Sequence, residues 1–134
     1  EIYTLSLHDA LPISSWMLRY KGIPARWQSG WMTHPGEVNL HDWAEVYFED
    51  TGWVPVDVSF GRGGPVAITP GRFFFMSGID SYRLYINSDY SGAFYPPKEF
   101  PRSETVDFQR GEVESRHGNL YFDRWEYDME ITYR

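Results

Sequence analysis

The chain has 134 residues, 42% of them hydrophobic and 19% aromatic, with a formal net charge of −7 and a pI near 5.0. That length closes one core, and the hydrophobic content excludes a disordered chain. The acidic balance argues against nucleic acid and anionic membranes as partners, and no run approaches the roughly 18 apolar residues of a membrane span. No cysteine is present, which excludes disulfides, leaves the compartment open and removes the usual thiol nucleophile.

Residues 1–13 do not fit the rest of the chain. Tyr3 to Ile13 resembles a translated sequencing-adapter remnant, so this segment is read as non-native and set aside from fold reasoning, as an expression scar would be. The alternative is a genuine short helix start with a loop at Pro12. Ser14 to Lys21 reads as the end of a helix. Trp16, Met17 and Tyr20 recur at helical spacing, Ser14 or Ser15 can cap the start, and Gly22 and Pro24 stop it. Ala25 to Trp31 reads as a strand, and Thr33 to Asn39 as a polar loop containing Pro35-Gly36.

His41 to Phe48 alternates as a strand, with His41, Trp43, Glu45 and Tyr47 on one face and Asp42, Ala44, Val46 and Phe48 on the other. Glu49 to Gly52 supplies turn chemistry, and Trp53 to Val58 returns as the next strand. His41 and Asp57 are sixteen positions apart. In an antiparallel hairpin they share a face only if the paired residue numbers sum to an even value; an odd register separates them. Further on, Gly61 to Gly71 reads as a loop, Phe73 to Met76 as a short buried run and Tyr82 to Asn87 as a strand. Ser91 to Arg102, with three prolines, reads as irregular. Thr105 to Val113 alternates apolar and charged residues. Leu120 to Phe122 pairs nearby around a His117-Gly118-Asn119 turn, and the strict alternation from Trp125 to Tyr133 predicts a half-buried strand.

Four blocks occur in a definite order: Gly22-Ile23-Pro24-Ala25-Arg26, Ser29-Gly30-Trp31, His41-x-Trp43-x-Glu45-Val46, and Gly52-Trp53-Val54-Pro55-Val56-Asp57. Together, over residues 16 to 61, they resemble the core of the transglutaminase-like superfamily of papain-like cysteine enzymes. The resemblance implies an α+β fold: a truncated papain-like core with one N-terminal helix and a mostly antiparallel β-sheet. Residues 14–61 form that core and residues 62–134 a β-rich continuation, similar to C-terminal extensions on bacterial members.

The family attacks glutamine carboxamides or peptide bonds with a cysteine at a helix N-terminus, so a protein or peptide is the implied substrate. A histidine on one strand is the base, and an aspartate on the next strand orients it. The resemblance places these roles on His41 and Asp57 and implies no cofactor. The cysteine belongs about four helical turns before Gly22, near Leu7, inside the segment read as non-native. The nucleophile and oxyanion-hole residues are therefore missing, and the chain as written is expected to be inactive. Ser6 is no substitute, because a hydroxyl without full base activation is a far weaker nucleophile. Bacterial members are often exported, which favours a periplasmic or surface location. The competing reading is a pseudoenzyme, or a non-catalytic β-rich module binding glycan or peptide through its aromatics.

Other groups read more plainly. A strand histidine is more often a satisfied structural residue than a base, and Asp57 alone would merely end a strand; it is the four-block context that singles them out. Trp43 and Trp53 suit core or groove wall, Trp27 and Trp31 suit packing or a cleft lining, and Glu45 suits an ion pair. His34, Glu37, His41 and Asp42 match no established metal-ligand spacing. No EF-hand loop is present for the calcium some animal relatives use. Gly61-Arg62-Gly63-Gly64 lacks the Gly-Lys-Ser/Thr ending of a phosphate loop. His8 falls in the segment set aside, and His117 in a turn.

Overall fold

The computed structural model describes residues 7–61, 74–88 and 90–134, the side chains of 7–11 and 61 excepted. A helix, α1 (Leu7–Tyr20), precedes three consecutive strands: β1 (Ala25–His34), β2 (Glu37–Phe48) and β3 (Gly52–Val56). A single helical turn, α2 (Val58–Gly61), follows, then a 3₁₀ turn at Phe74–Met76, β4 (Arg83–Asn87) and a small ribbon of β5 (Val113–Ser115) and β6 (Gly118–Leu120). The main sheet is antiparallel in the order β3-β2-β1-β4. This is the small α+β architecture expected.

α1 ends where the sequence places its stop. Gly22 takes φ of 79°, its N–H bonds the Arg19 carbonyl at 3.0 Å, and Ile23 N–H bonds Leu18 at 3.0 Å. These two bonds are a Schellman termination, which only a residue tolerating the left-handed region completes cheaply. The start differs from expectation. The helix runs back through Pro12 to Leu7, so neither Ser14 nor Ser15 is a cap, and Ser15 is fully buried in the helix interior. Pro12 has no N–H to offer the His8 carbonyl, a loss that the helix body tolerates.

The strands alternate as read, but β1 and β2 are longer. Thr33 to Asn39 is the tip of a hairpin rather than a loop, with His34 opposite Glu37 and only Pro35-Gly36 between them. Proline presets the first turn dihedral and Gly36 takes φ of 82°, the combination of a type II turn. The second hairpin closes over three residues, with Phe48 opposite Gly52 and φ of 86° at Gly52.

One sheet face carries Ala25, Trp27 and Ser29 beside Asp42, Ala44 and Val46, all buried. Small residues at 25, 29 and 44 give α1 room to approach. Trp27 is almost wholly enclosed and stacks on Tyr90 with ring centroids 4.7 Å apart. The other face carries His41, Trp43 and Glu45, beside Gly30 and Met32 of β1.

Gly30 decides how closely β4 comes. A Cβ built there would lie 1.9 Å from the Leu84 carbonyl oxygen, far inside van der Waals contact. The register also slips at this point, with Gly30 opposite Tyr85 but Ser29 opposite Asn87, so Ile86 is the extra residue of a bulge. The bulge turns Asn87 to the Ser29 side, where the Ser29 hydroxyl donates to Asn87 Oδ1, while Arg83 and Tyr85 stay on the His41 side.

Four further expectations are corrected. Phe74 and Met76 form an exposed 3₁₀ turn, not a buried run, and Phe73 lies outside the described residues. Gly61 ends α2, and the expected loop at 62–71 lies outside them too. Trp125 to Tyr133 forms no strand. Its alternation is real, but no sheet edge accepts it; instead Trp125 packs on Phe122 and Tyr127, and the Tyr133 hydroxyl donates to the Thr33 carbonyl at 2.7 Å. The turn of the small ribbon is Arg116-His117, one residue earlier than read.

Gly30→Ala is expected to lower stability by about 3 kcal/mol, because backbone rather than a flexible side-chain tip must yield. Urea unfolding followed by tryptophan fluorescence checks this; a loss below about 1 kcal/mol would show that β4 moves aside without cost.

Candidate active site

The β2–β3 register pairs Ala44 with Val56 and Val46 with Val54. The sums are even, so continuation of the ladder brings Asp57 to the His41 face. His41 Nε2 lies 2.6 Å from Asp57 Oδ2. The Asp57 side chain is fully buried and that of His41 is 13% exposed. The imidazole stands edge-on to Phe60 at 5.2 Å between ring centroids and 6.4 Å from Trp43. Its neighbour across the β1 ladder is Gly30, so no side chain crowds it from that strand.

A buried carboxylate needs partners on both oxygens. Asp57 Oδ1 accepts the Ser59 N–H at 3.0 Å, in the first turn after the strand. Oδ2 accepts from His41 and also from Arg83 Nη2 at 3.3 Å. The Asp57 N–H donates to the Phe75 carbonyl at 2.6 Å, which fixes the backbone beneath the carboxylate. Arg83 is itself buried, its side chain 3% exposed. Its guanidinium lies over the rings of Phe60 and Phe75, at 4.9 and 5.6 Å. Arg83 Nη1 is 3.9 Å from Asp80, which in turn accepts from His34 Nε2 at 2.9 Å. Burial raises the Asp80 carboxyl, but the His34 and Tyr82 hydrogen bonds and the Arg83 charge outweigh it and hold the group below its usual range.

On the opposite face, Asp42 has a different fate. Burial first, then the neighbouring Asp107 carboxylate, pushes its carboxyl up to about 7, against the hydrogen bond from Gln109. Burial also raises Asp107, with Glu104 adding to it. Gln109 Nε2 donates both to Asp42 Oδ1 and, at 2.9 Å, to the His41 carbonyl, tying the 103–110 segment to β2. Trp31 Nε1 adds a bond to the Gln109 carbonyl at 2.8 Å. Above this floor, α1 and the C-terminal segment enclose a cavity of about 1540 Å³ lined by Trp16, Tyr20, Trp27, Asp42, Phe122 and Tyr127, among others.

The remaining sequence candidates separate. Glu45 pairs with Arg26 Nε at 2.5 Å and accepts from Gln28 at 2.9 Å, the structural role expected of it. Trp43 and Trp27 are buried, whereas Trp53 is 40% exposed under the Arg26 guanidinium and is not core. His34, Glu37, His41 and Asp42 do not gather; among the described residues no group of three or more His, Asp or Glu is placed to hold a metal ion. No helix is long and apolar enough to cross a membrane, among the described residues. Arg83, Phe60 and Gln109 were not singled out from the sequence. The one signal for Arg83 was a charge inside a strand whose neighbours, Tyr82, Leu84, Tyr85 and Ile86, are apolar or aromatic.

A helix laid on an antiparallel sheet whose second and third strands bring a histidine and a buried aspartate together defines the class: a small α+β domain with a His–Asp pair on one sheet face. The comparisons place it further. Residues 13–58 match the core model of the transglutaminase-like superfamily. The chain is also 34% identical over 67 residues, covering 40% of it, to YebA, an uncharacterized protein of Bacillus subtilis (strain 168). It spans only 9% of that protein's length. No solved structure matches it. The superfamily is of the thiol-dependent acyltransferase and protease type, and this chain has no cysteine.

The raised Asp42 carboxyl has a consequence for stability. Its folded value lies above the unfolded one, so the folded state holds a proton that the unfolded chain releases between about pH 4 and 7. Stability from this group is full below pH 4 and is lost as pH rises through 7. The Asp42→Asn variant keeps an acceptor for Gln109 and removes the titration. Its unfolding temperature is expected to fall less than the parent's between pH 4.5 and 7.5. Parallel melting curves for the two proteins would overturn the assignment.

Proposed function

We propose that this chain carries the base and its orienting carboxylate from a transglutaminase-like thiol site, with His41 as general base and Asp57 as its orienter. The observation that supports this most is the 2.6 Å bond between His41 Nε2 and the fully buried Asp57. With Nε2 committed as a donor to a carboxylate, Nδ1 holds the lone pair that takes a proton. In the complete site a thiol gives its proton to Nδ1 and the thiolate attacks a carboxamide or peptide carbonyl. Nδ1 then returns the proton to the departing amine, leaving a thioester for water or a second amine to resolve. The parent protein thus performs acyl transfer or hydrolysis on glutamine side chains or peptide bonds.

Residues 14–61 are the retained core, residues 62–134 continue the same domain, and residues 1–13 stand where the nucleophile belongs. The spacing from Gly22 puts that nucleophile near Leu7, and Leu7 is the first residue of α1, the helix that contacts β1, β2 and α2. A helix N-terminus lowers the pKa of a thiol placed on it.

A second reading, a non-catalytic module for peptide or glycan, draws on one feature: the cavity between α1 and the C-terminal segment, with Trp16 and Tyr20 exposed on its rim. The two readings give different results in one experiment. The chain as it stands is expected to show no amidase or transamidase turnover above buffer. Leu7→Cys is expected to create a thiol that iodoacetamide alkylates at pH 6.5 at least about tenfold faster than a free cysteine, because its thiolate form persists there. Adding His41→Ala should remove most of that gain. Ordinary thiol reactivity in Leu7→Cys, unchanged by His41→Ala, would favour the binding module, as would saturable tryptophan quenching by oligosaccharide or peptide.

A further inference from the structure

One charged residue beside the dyad takes no part in the proton transfer. Arg83 enters from β4, a strand well removed in sequence from the family blocks. Its guanidinium is buried, lies over the adjoining rings of Phe60 and Phe75, and shares Asp57 Oδ2 with the imidazole. Among the described residues its Nε has no hydrogen-bond partner. A cation with so few polar contacts is held there chiefly by the two carboxylates, Asp57 and Asp80.

Charge counting shows what it does. Asp57 is fully enclosed and takes one hydrogen bond from the backbone. Beside Asp57 alone, a neutral imidazole would leave a buried net charge of minus one, and a low-dielectric site would keep the imidazole protonated to cancel it. With Arg83 present, the guanidinium, shared between Asp57 and the partly exposed Asp80, offsets part of that charge. Its presence lessens the electrostatic gain from protonating the imidazole.

We propose that Arg83 is a positioning residue of the dyad: it fixes the buried Asp57 carboxylate and offsets its charge, so that His41 is held less strongly as the imidazolium than it would be beside Asp57 alone and is oriented with Nδ1 available. The inference rests on the reading of His41 as a base, but its physical content, which proton state His41 adopts, does not require a nucleophile to be present. The charged and titratable groups around His41 come from several elements. They are Asp57 at the end of β3, Arg83 on β4, Asp80 just before it, His34 at the end of β1 on Asp80, and Asp42 beside it on β2 but turned to the other face.

The test uses the chain as it stands, without a cysteine. The His41 ring is titrated by NMR in the parent and in Arg83→Met, Arg83→Gln and Arg83→Lys. The two neutral variants are expected to titrate at least about one pH unit higher than the parent, a tenfold change in proton affinity. Arg83→Lys, which keeps the charge, should return most of the way. A merely structural arginine would alter stability without this order. Because a buried arginine variant can fail to fold, a second measurement is made on the unaltered chain. The Arg83 Nη2–H resonances are expected to shift together with the His41 titration, since both groups hold the same oxygen. Neutral variants that titrate with the parent, or Arg83 resonances indifferent to His41, would overturn the inference. Either result would leave the Leu7→Cys comparison standing, just as failure of that comparison would leave this one intact.

Discussion

The structure is organised around a carboxylate with no access to water. Asp57 lies at the end of β3, its side chain fully buried, and three elements must converge to make that tolerable. β2 supplies the His41 imidazole, β4 the Arg83 guanidinium and the first turn of α2 the Ser59 N–H. An unpartnered ionised carboxylate in such a place costs several kcal/mol, and stripping one partner from a buried pair typically costs about 3–5 kcal/mol. The arrangement therefore constrains the fold as much as it equips the site. β4 has to approach β1 closely enough for Arg83 to arrive, and Gly30 is the residue that permits it.

The sheet divides its labour by parity. Odd positions of β2 face the dyad and even positions face α1, so His41 and Asp42 are neighbours in sequence and opposites in environment. On the His41 side, Arg83 offsets part of the carboxylate charge. On the Asp42 side, Asp107, Asp57 and Glu104 add to the effect of burial, and together they raise the Asp42 carboxyl to about 7. Gln109 spans the two through the backbone, accepted by the His41 carbonyl and by Asp42. The C-terminal segment is thus clamped to the strand that carries the imidazole, although it contributes no strand to the main sheet.

How legible this was depends on the range of the contact concerned. Alternation along β2, the glycine at the β2–β3 turn and the Gly22-Pro24 stop are local, and residue order alone gives them. The face shared by His41 and Asp57 needed one unknown, the parity of the register, which a three-residue loop then set. Arg83 was out of reach, because its partner lies on a strand joined to it only through a segment with no readable period. Trp125 to Tyr133 failed in the opposite way. Alternation reports one wet and one dry side, but a strand also needs an edge to pair with, and here Tyr133 is spent on the Thr33 carbonyl and Tyr82 instead. The extra turns of α1 were missed because residues before Ser14 were set aside and Pro12 argues against a helix.

On the proposed reading of these residues as half of a thiol site, the same charge count bears on how that half stands without a cysteine. Arg83, Asp57, Asp80 and a neutral His41 sum to minus one, with Asp80 partly exposed and bonded to His34, and their contacts close without any nucleophile. Installing a thiol adds nothing to that sum in either of its resting forms. A neutral thiol beside a neutral imidazole and a thiolate beside an imidazolium both leave the total unchanged. The charge balance of the frame is therefore indifferent to whether a thiol is present. That indifference is the condition for a single substitution at the head of α1 to be worth making.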